Sequence, residues 1–327
     1  MLRGITRRAA LAAAALSCVC SAGLAQAQAP FPSKSVRLLV GFSAGGSADL
    51  VARLLAEELR PEWGQTVVVE NRVGAGGAIA ADMVAKSPPD GYNLLVTTAS
   101  HTALGALKKQ LPYDSLKDFT PINLFASAPN ALVTRADSPL RTLPAFLAAA
   151  KAKPGEVTYA TSAVGGILHF AGEQFAHAAG LKLNHVPYKG ANDVVLAVLS
   201  GTVQSSWSVV SAAIPLVAPD KLHIVAVASE SRSALVPNVP TFAELGVPGM
   251  KSDTWFGVLG PANLPPEITR RINDSMQKLL TKPDVKAKLI KLGAEPKGLG
   301  PVEFREQVKN ELEQFAVIAK TANISAD

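Results

Sequence analysis

Hydrophobic positions along this chain fall into short continuous runs separated by segments of helical period. The run Val36 to Val40 ends at Gly41, passes through Ala44-Gly45-Gly46-Ser47, and gives way to Leu50, Val51, Leu54, Leu55 and Leu59 at helical spacing. A strand, a turn of small residues and a helix are predicted there. The rhythm continues with strands at Thr66 to Glu70, Asn93 to Thr98, Val157 to Ala160, Asn184 to Pro187, Val203 to Trp207 and Leu222 to Ala228. Helices are predicted over Ala78 to Lys86, from a Thr142 cap to Ala152, over Ile167 to Ala178 and over Asn192 to Ser200. Phe119 to Thr134 is apolar without helical spacing and reads as extended chain leaving a first lobe. Thr254 to Gly260 reads as a returning strand. Pro266 opens a helix carrying Ile268, Ile272 and Leu279, and Val302, Val308, Leu312, Phe315 and Ala319 mark a last amphipathic helix. Alternating strands and helices predict an α/β protein with parallel sheets, whose ligands bind beyond the carboxyl ends of the strands.

Two of these strand ends carry the same chemistry. Small residues between a strand and a helix expose unpaired N–H groups, and the helix dipole adds partial positive charge. Such a turn holds a carboxylate or phosphate without a charged side chain. Thr161-Ser162-Ala163-Val164-Gly165-Gly166 repeats what Ala44 to Ser47 provides. Two anion-receptive turns half a chain apart predict two lobes facing one small anion.

With 327 residues, 48% of them hydrophobic, the chain has enough material for two such lobes. The first 27 residues stand apart. Arg3, Arg7 and Arg8 precede an Ala/Leu stretch that ends at Ala25-Gln26-Ala27, the pattern of a secretory signal with cleavage expected after Ala27 and a second cut available after Ala25. Thr6-Arg7-Arg8 lacks most of the twin-arginine pattern, which favours general secretory export. No later segment reaches membrane-spanning length. Both cysteines, Cys18 and Cys20, fall inside this signal, so the mature chain has no disulfide, thiolate metal site or cysteine nucleophile. The signal holds three Arg and no acid, so the net charge of +6 falls to 6 − 3 = +3. That surplus forms no basic tract and gives no reason to expect nucleic acid.

Candidate chemistry beyond the turns is thin. Gly41-Phe42-Ser43-Ala44-Gly45 matches the G-x-S-x-G elbow that would make Ser43 the nucleophile of a serine hydrolase. Against that alternative, the motif lies on the first mature strand, no histidine follows His223, and no HGG-type oxyanion segment is present. Gly74-Ala75-Gly76-Gly77 resembles a dinucleotide fingerprint, but Ile79 occupies the third glycine position and a plain helix-start turn is the better reading. His169 and His177, eight residues apart on one helix, are too widely spaced to share a metal. No cofactor is expected. Asp49 reads as a balance for the first helix turn, Trp207, Trp255 and Tyr188 as core or hinge aromatics, and Lys189 as either facing an anion or solvated.

Taken together, the segments resemble the substrate-binding proteins of tripartite tricarboxylate transporters, the Bug or TctC family. Val40-Gly41-Phe42-Ser43-Ala44-Gly45-Gly46 with Asp49 and Arg53 is similar to that family's V-P-F-x-x-G-G-x-x-D-x-x-A-R. Val68 to Arg72 with Gly74 to Gly77 resembles V-V-E-N-R-P-G-A-G-G, Pro89 to Tyr92 resembles P-D-G-Y, and Leu111 to Asp114 with Lys117 to Phe119 resembles L-P-Y-D-x-x-K-D-F. His169, His185 to Gly190 and Trp255-Phe256-Gly257 extend the likeness over the whole mature chain. The resemblance implies a two-lobed type II periplasmic binding protein, each lobe a mainly parallel sheet flanked by helices, with the ligand cleft between lobes. The expected division is 1–27 signal, 28–128 with 253–327 first lobe, and 129–252 second lobe. The implied function is non-enzymatic: periplasmic capture of a small carboxylate for membrane transporter subunits, with a sensor kinase's periplasmic domain as an alternative partner. Ligand contacts are implied at Ser43, Ala44, Gly45, Gly46 and Ser47, at Ser162, Val164, Gly165 and Gly166, and at Thr98 and Ala99. The family's Pro is Gly41 here, and acids common in the family fall at Ala197 and Ser208. Ser208 therefore counts among the ligand-facing positions, and the missing acids favour a non-amino, partly apolar carboxylate.

Overall fold

The computed structural model describes residues 31–107, 111–162, 164–188, 190–217, 219–322 and 324. The expected signal and its cleavage site lie outside the described residues, as do Ala163 and Lys189. The first lobe is built on β1 (Val36–Val40), β2 (Val67–Asn71) and β3 (Asn93–Thr98), with β1 pairing in parallel with both neighbours. Two long strands complete it. β4 (Phe119–Arg135) and β9 (Asp253–Pro261) run antiparallel to each other, and β9 lies against β3. β10 (Glu295–Leu299) adds to the far side of β4.

β4 belongs to both lobes. Phe119 to Pro129 pairs with β9, and Asn130 to Thr134 pairs with β7 (Ser205–Val209). There the second sheet takes over: β6 (Asn184–Pro187), β5 (Thr158–Thr161), β7, β4 and β8 (Leu222–Val227). The first lobe runs β2-β1-β3-β9-β4 and the second β6-β5-β7-β4-β8. Each is a parallel trio extended by antiparallel strands, so the two lobes repeat one plan. Asn130, fully buried at the crossing, accepts from Thr254 Oγ1 at 2.9 Å and donates to Ser252 Oγ at 2.9 Å.

Helices cover both faces of each sheet, and this explains the continuous apolar strands. Leu38 and Leu39 are neighbours on β1 but enter different cores. Leu38 packs towards α1 (Ser47–Trp63) and Leu39 towards α2 (Ala78–Ala85). Burial of Leu54, Leu55 and Leu59 on α1 contributes about 1.5–3 kcal/mol for each side chain. Trp63 Nε1 donates to Ser275 Oγ at 2.9 Å and ties α1 to α8 (Pro266–Thr281). Two expected core positions face outward instead. Leu50 is 36% exposed because Val51 and Ala52 take the inward stripe, and Val302 is 73% exposed because Phe304 is the residue that turns inward. The remaining helices are α3 (Ser100–Ala106), α4 (Leu143–Ala152), α5 (Ile167–Ala179), α6 (Ala191–Leu199), α7 (Val210–Val217), α9 (Pro283–Lys291) and α10 (Pro301–Thr321). Of these, α3, α7, α9 and β10 were not expected. No described helix is long and apolar enough to cross a membrane.

His101 on α3 is buried between Tyr113 and Phe119, with Nε2 2.8 Å from the Ser115 carbonyl, so Nε2 carries the proton. Burial pushes its pKa down to about 4, although the Ser115 carbonyl works in the opposite direction. The folded state therefore keeps the ring neutral while the unfolded chain takes a proton below its ordinary value of 6.5. Its contribution is present at pH 7 and is lost as pH falls from 6.5 towards 4. His101→Gln retains a donor for Ser115 and removes the titration. Urea unfolding at pH 7 and pH 5 is expected to show the variant losing about 2 kcal/mol less than wild type across that interval.

Candidate ligand-binding site

A cavity of about 1170 Å³ lies between the lobes. Its first-lobe wall begins at the end of β1, where Gly45 takes φ 80° and Gly46, at φ −73° and ψ 164°, opens α1. A side chain at Gly45 would be strained by that left-handed φ. The turn is held from below. Asp49, 1% exposed, accepts the Gly45 N–H at 2.8 Å, Arg53 Nε at 2.8 Å and the Asn71 amide at 2.9 Å. Asn71 also donates to the Phe42 carbonyl, which stitches the turn to the end of β2. Burial raises the Asp49 pKa, but the bonds from Arg53, Gly45 and Asn71 prevail and hold the carboxyl below its usual range. Gly46 N–H meets the Ser43 carbonyl at 3.2 Å. Two of the turn's amides are thus spent internally, and the first N–H groups of α1 are the ones left towards the cavity.

The Gly74–Gly77 segment has positive φ at all four residues and packs on this turn. A Cβ on Gly41 would come within 2.5 Å of Gly77 Cα, so Gly41 must lack a side chain, while Gly77 is favoured as glycine by its φ of 102°. Ala75 and Gly76 line the cavity. This segment is therefore part of the cleft wall and not only a helix start.

The second-lobe wall repeats the first. Gly165 takes φ 71°, and Gly166, at φ −82° and ψ 166°, opens α5. Gly190 opens α6 beside it, and Gly190 and Ala191 also line the cavity. The N-termini of α1, α5 and α6 thus border one space, each the equivalent of about half a positive charge. Among the described residues, every side chain lining the cavity is uncharged. Phe42, Leu104, Leu111, Leu168 and Val209 give it apolar walls, while Thr98, Ser100 and Thr254 add hydroxyls.

Of the expected ligand contacts, Ser43, Gly46, Ser47, Thr98, Ser162, Val164, Gly165 and Gly166 line this cavity. Ala44 and Gly45 belong to the turn but not to the lining. Ala99 is fully buried, with its carbonyl taken by Thr102 Oγ1 and Ala103 N–H. Ser208 lies 3.2 Å from Ser206 Oγ, two residues back on the same strand face, and Val209 lines the cavity instead. Leu104, Leu111 and Thr254 were not anticipated. Their only signal was position after a strand or near the crossing, which sequence spacing alone does not convey.

Among the described residues, no hydrogen bond joins the Ser43 hydroxyl to a histidine. His101 bonds Ser115, His169 accepts from Gly165, and His185 lies 2.7 Å from Thr161 Oγ1. Comparison with known proteins shows the family and the fold. The family profile "Tripartite tricarboxylate transporter family receptor" (TctC) matches residues 51–324. Protein BugT of Bordetella pertussis is 35% identical over 292 residues, covering 89% of this chain and 90% of its own. A Rhodopseudomonas palustris protein solved with adipate is 33% identical with a TM-score of 0.80, covering 90% of this chain and 99% of its own. MatC from the same organism, solved with bound malate, is 30% identical with a TM-score of 0.76, covering 88% and 99%. The fold is that of these two-lobed periplasmic binding proteins, a family of receptors and not of hydrolases. The chain belongs to the tripartite tricarboxylate transporter receptor family, the Bug/TctC solute-binding proteins.

Proposed function

We propose that this protein is an exported periplasmic receptor that closes on a small, non-amino, partly apolar carboxylate and delivers it to the membrane subunits of a tripartite transporter. The observation that carries the reading is the pair of glycine turns with matching dihedrals, bordering one cavity whose described lining has no charged side chain. Adipate and malate in the two solved relatives support a carboxylate as the ligand class. The lobes are taken as 28–128 with 253–327, and 129–252, in keeping with the change of β4 partner between Pro129 and Asn130. A carboxylate seated on neutral amides has no need of a cation. An amino group, by contrast, would need an acid that the described lining lacks, and burying it unpaired costs several kcal/mol.

Native mass spectrometry of freshly purified protein is expected to show a retained small acid. A calorimetric panel of adipate, benzoate, malate, aspartate and glutamate is expected to favour acids with an apolar body. Tight binding of the two amino acids alone would overturn the ligand class. Gly46→Leu places its side chain at the cavity wall, where backbone φ is ordinary and the nearest obstruction is the Ser43 carbonyl at 3.2 Å. It is expected to lose roughly 100-fold in affinity, the equivalent of one or two charge-assisted hydrogen bonds, with little change in Tm. Normal binding by Gly46→Leu would show that the turn is not the seat. Asp49→Ala leaves the Gly45 N–H and the Asn71 amide without their acceptor. It is expected to cost about 2–4 kcal/mol in urea unfolding and to weaken binding as well.

A further inference from the structure

The second turn has its own counterpart of Asp49. In each lobe the N–H of the left-handed glycine is spent on the side chain four residues later: Gly45 on Asp49 Oδ2 at 2.8 Å, and Gly165 on His169 Nδ1 at 3.1 Å. The two glycines differ by 9° in φ (80° and 71°), and the glycines that follow them are both extended. An aspartate and a histidine share little chemistry except a lone pair at about the same reach. We infer that His169 is the positioning residue of the second turn, its Nδ1 holding the Gly165 N–H so that the first amides of α5 stay presented to the cleft.

The surroundings of His169 fix its ring. His185 stacks on it with ring centres 3.7 Å apart and planes 16° from parallel. His185 Nε2 lies 2.7 Å from Thr161 Oγ1, and Thr161 ends β5 at the entry to the turn. The stacked pair therefore links the turn's entry at Thr161 to its exit at Gly165. Glu173 Oε1 lies 3.9 Å from His169 Nε2 and accepts the Tyr159 hydroxyl. Gly172 leaves room for this, since a Cβ there would come within 2.3 Å of the Tyr159 ring. Accepting at Nδ1 requires the Nε2–H tautomer, because a proton on Nδ1 would set donor against donor. Burial and the facing ring agree with that state: burial and His185 push His169 down to about 3, burial pushes His185 down to about 4, and burial pushes Glu173 up.

The link to ligand binding rests on the proposed function, whereas the seat itself is a property of the unliganded protein, and the test separates the two. Nitrogen-15 imidazole spectra of wild type are expected to show His169 as the Nε2–H tautomer. Amide exchange is expected to find Gly165 protected in wild type and in His169→Asn, whose Oδ1 replaces Nδ1, and about tenfold less protected in His169→Leu. Adipate, used as the calorimetric probe, is expected to bind about tenfold more weakly to the leucine variant and to retain its affinity for the asparagine variant. An Nδ1–H tautomer in wild type, or equal Gly165 protection in His169→Leu, would overturn the inference. If the leucine variant fails to fold, the wild-type tautomer and the asparagine variant decide. Adipate binding to none of the three proteins counts against the carboxylate reading alone, while the exchange data still decide the seat.

Discussion

Backbone amides capture an anion only if something else has already fixed their direction. On the proposed reading that task falls to one hydrogen bond in each lobe, from a left-handed glycine to a side chain four residues further on. The bond removes one donor from the turn and immobilises the rest. Pre-set donors need no reordering when the ligand arrives, so less of the interaction energy is lost to entropy. The arrangement depends on features at a distance from the cleft. Asp49 needs Asn71 at the end of β2 to hold it, and His169 needs His185 on β6 to stack against it. Each turn is thus anchored to the strand beside its own.

The two turns stand in lobes that share one strand, β4. A single strand pairs with β9 up to Pro129 and with β7 from Asn130, and Phe170 of α5 packs on Phe315 of α10 with ring centres 4.8 Å apart, so the lobes meet at the crossing and at this helix contact. The crossing is polar and well bonded, with Asn130 between Ser252 and Thr254. Thr254 also lines the cavity, so the ligand space reaches the crossing itself. The closure proposed above would need a few residues at element ends to absorb the change while packed layers stay intact.

Much of this was legible in the residues. Where an apolar run met a small-residue turn, as at Val36 to Ser47 or Val157 to Gly166, strand, turn and helix all formed within a residue or two of their expected bounds. The elements that escaped notice lack that contrast. α3 is Ser-His-Thr-Ala-Leu-Gly-Ala, with no apolar period, and its Gly105 is explained only by Ser115 and Leu312 crowding the space a Cβ would take. α7 contains Pro215 within an apolar run that reads equally well as strand, and β10 is Glu-Pro-Lys-Gly-Leu, paired to β4 through an irregular register. Tertiary contacts, not local preference, form these segments. The site divides in the same way. The glycine turns announce themselves through composition, but Asp49 and His169 as equivalent supports could be seen only once Gly45 and Gly165 were found in the same conformation.

The uncharged lining found among the described residues would also shape what the cleft selects. A lysine or arginine would draw in any anion through long-range attraction, including inorganic ions abundant in an open compartment. Neutral amides at helix starts act over a single turn, so they reward an anion only at contact distance and in the right orientation. The remaining discrimination then passes to shape and to apolar contact, which Phe42, Leu104, Leu168 and Val209 provide at the described wall. Chloride or phosphate could meet the amides but would leave those walls unfilled. A carboxylate with a hydrocarbon body satisfies both surfaces at once and releases water from both. On the proposed reading, selectivity follows from joining a weak, directional anion seat to an apolar space, neither of which suffices alone.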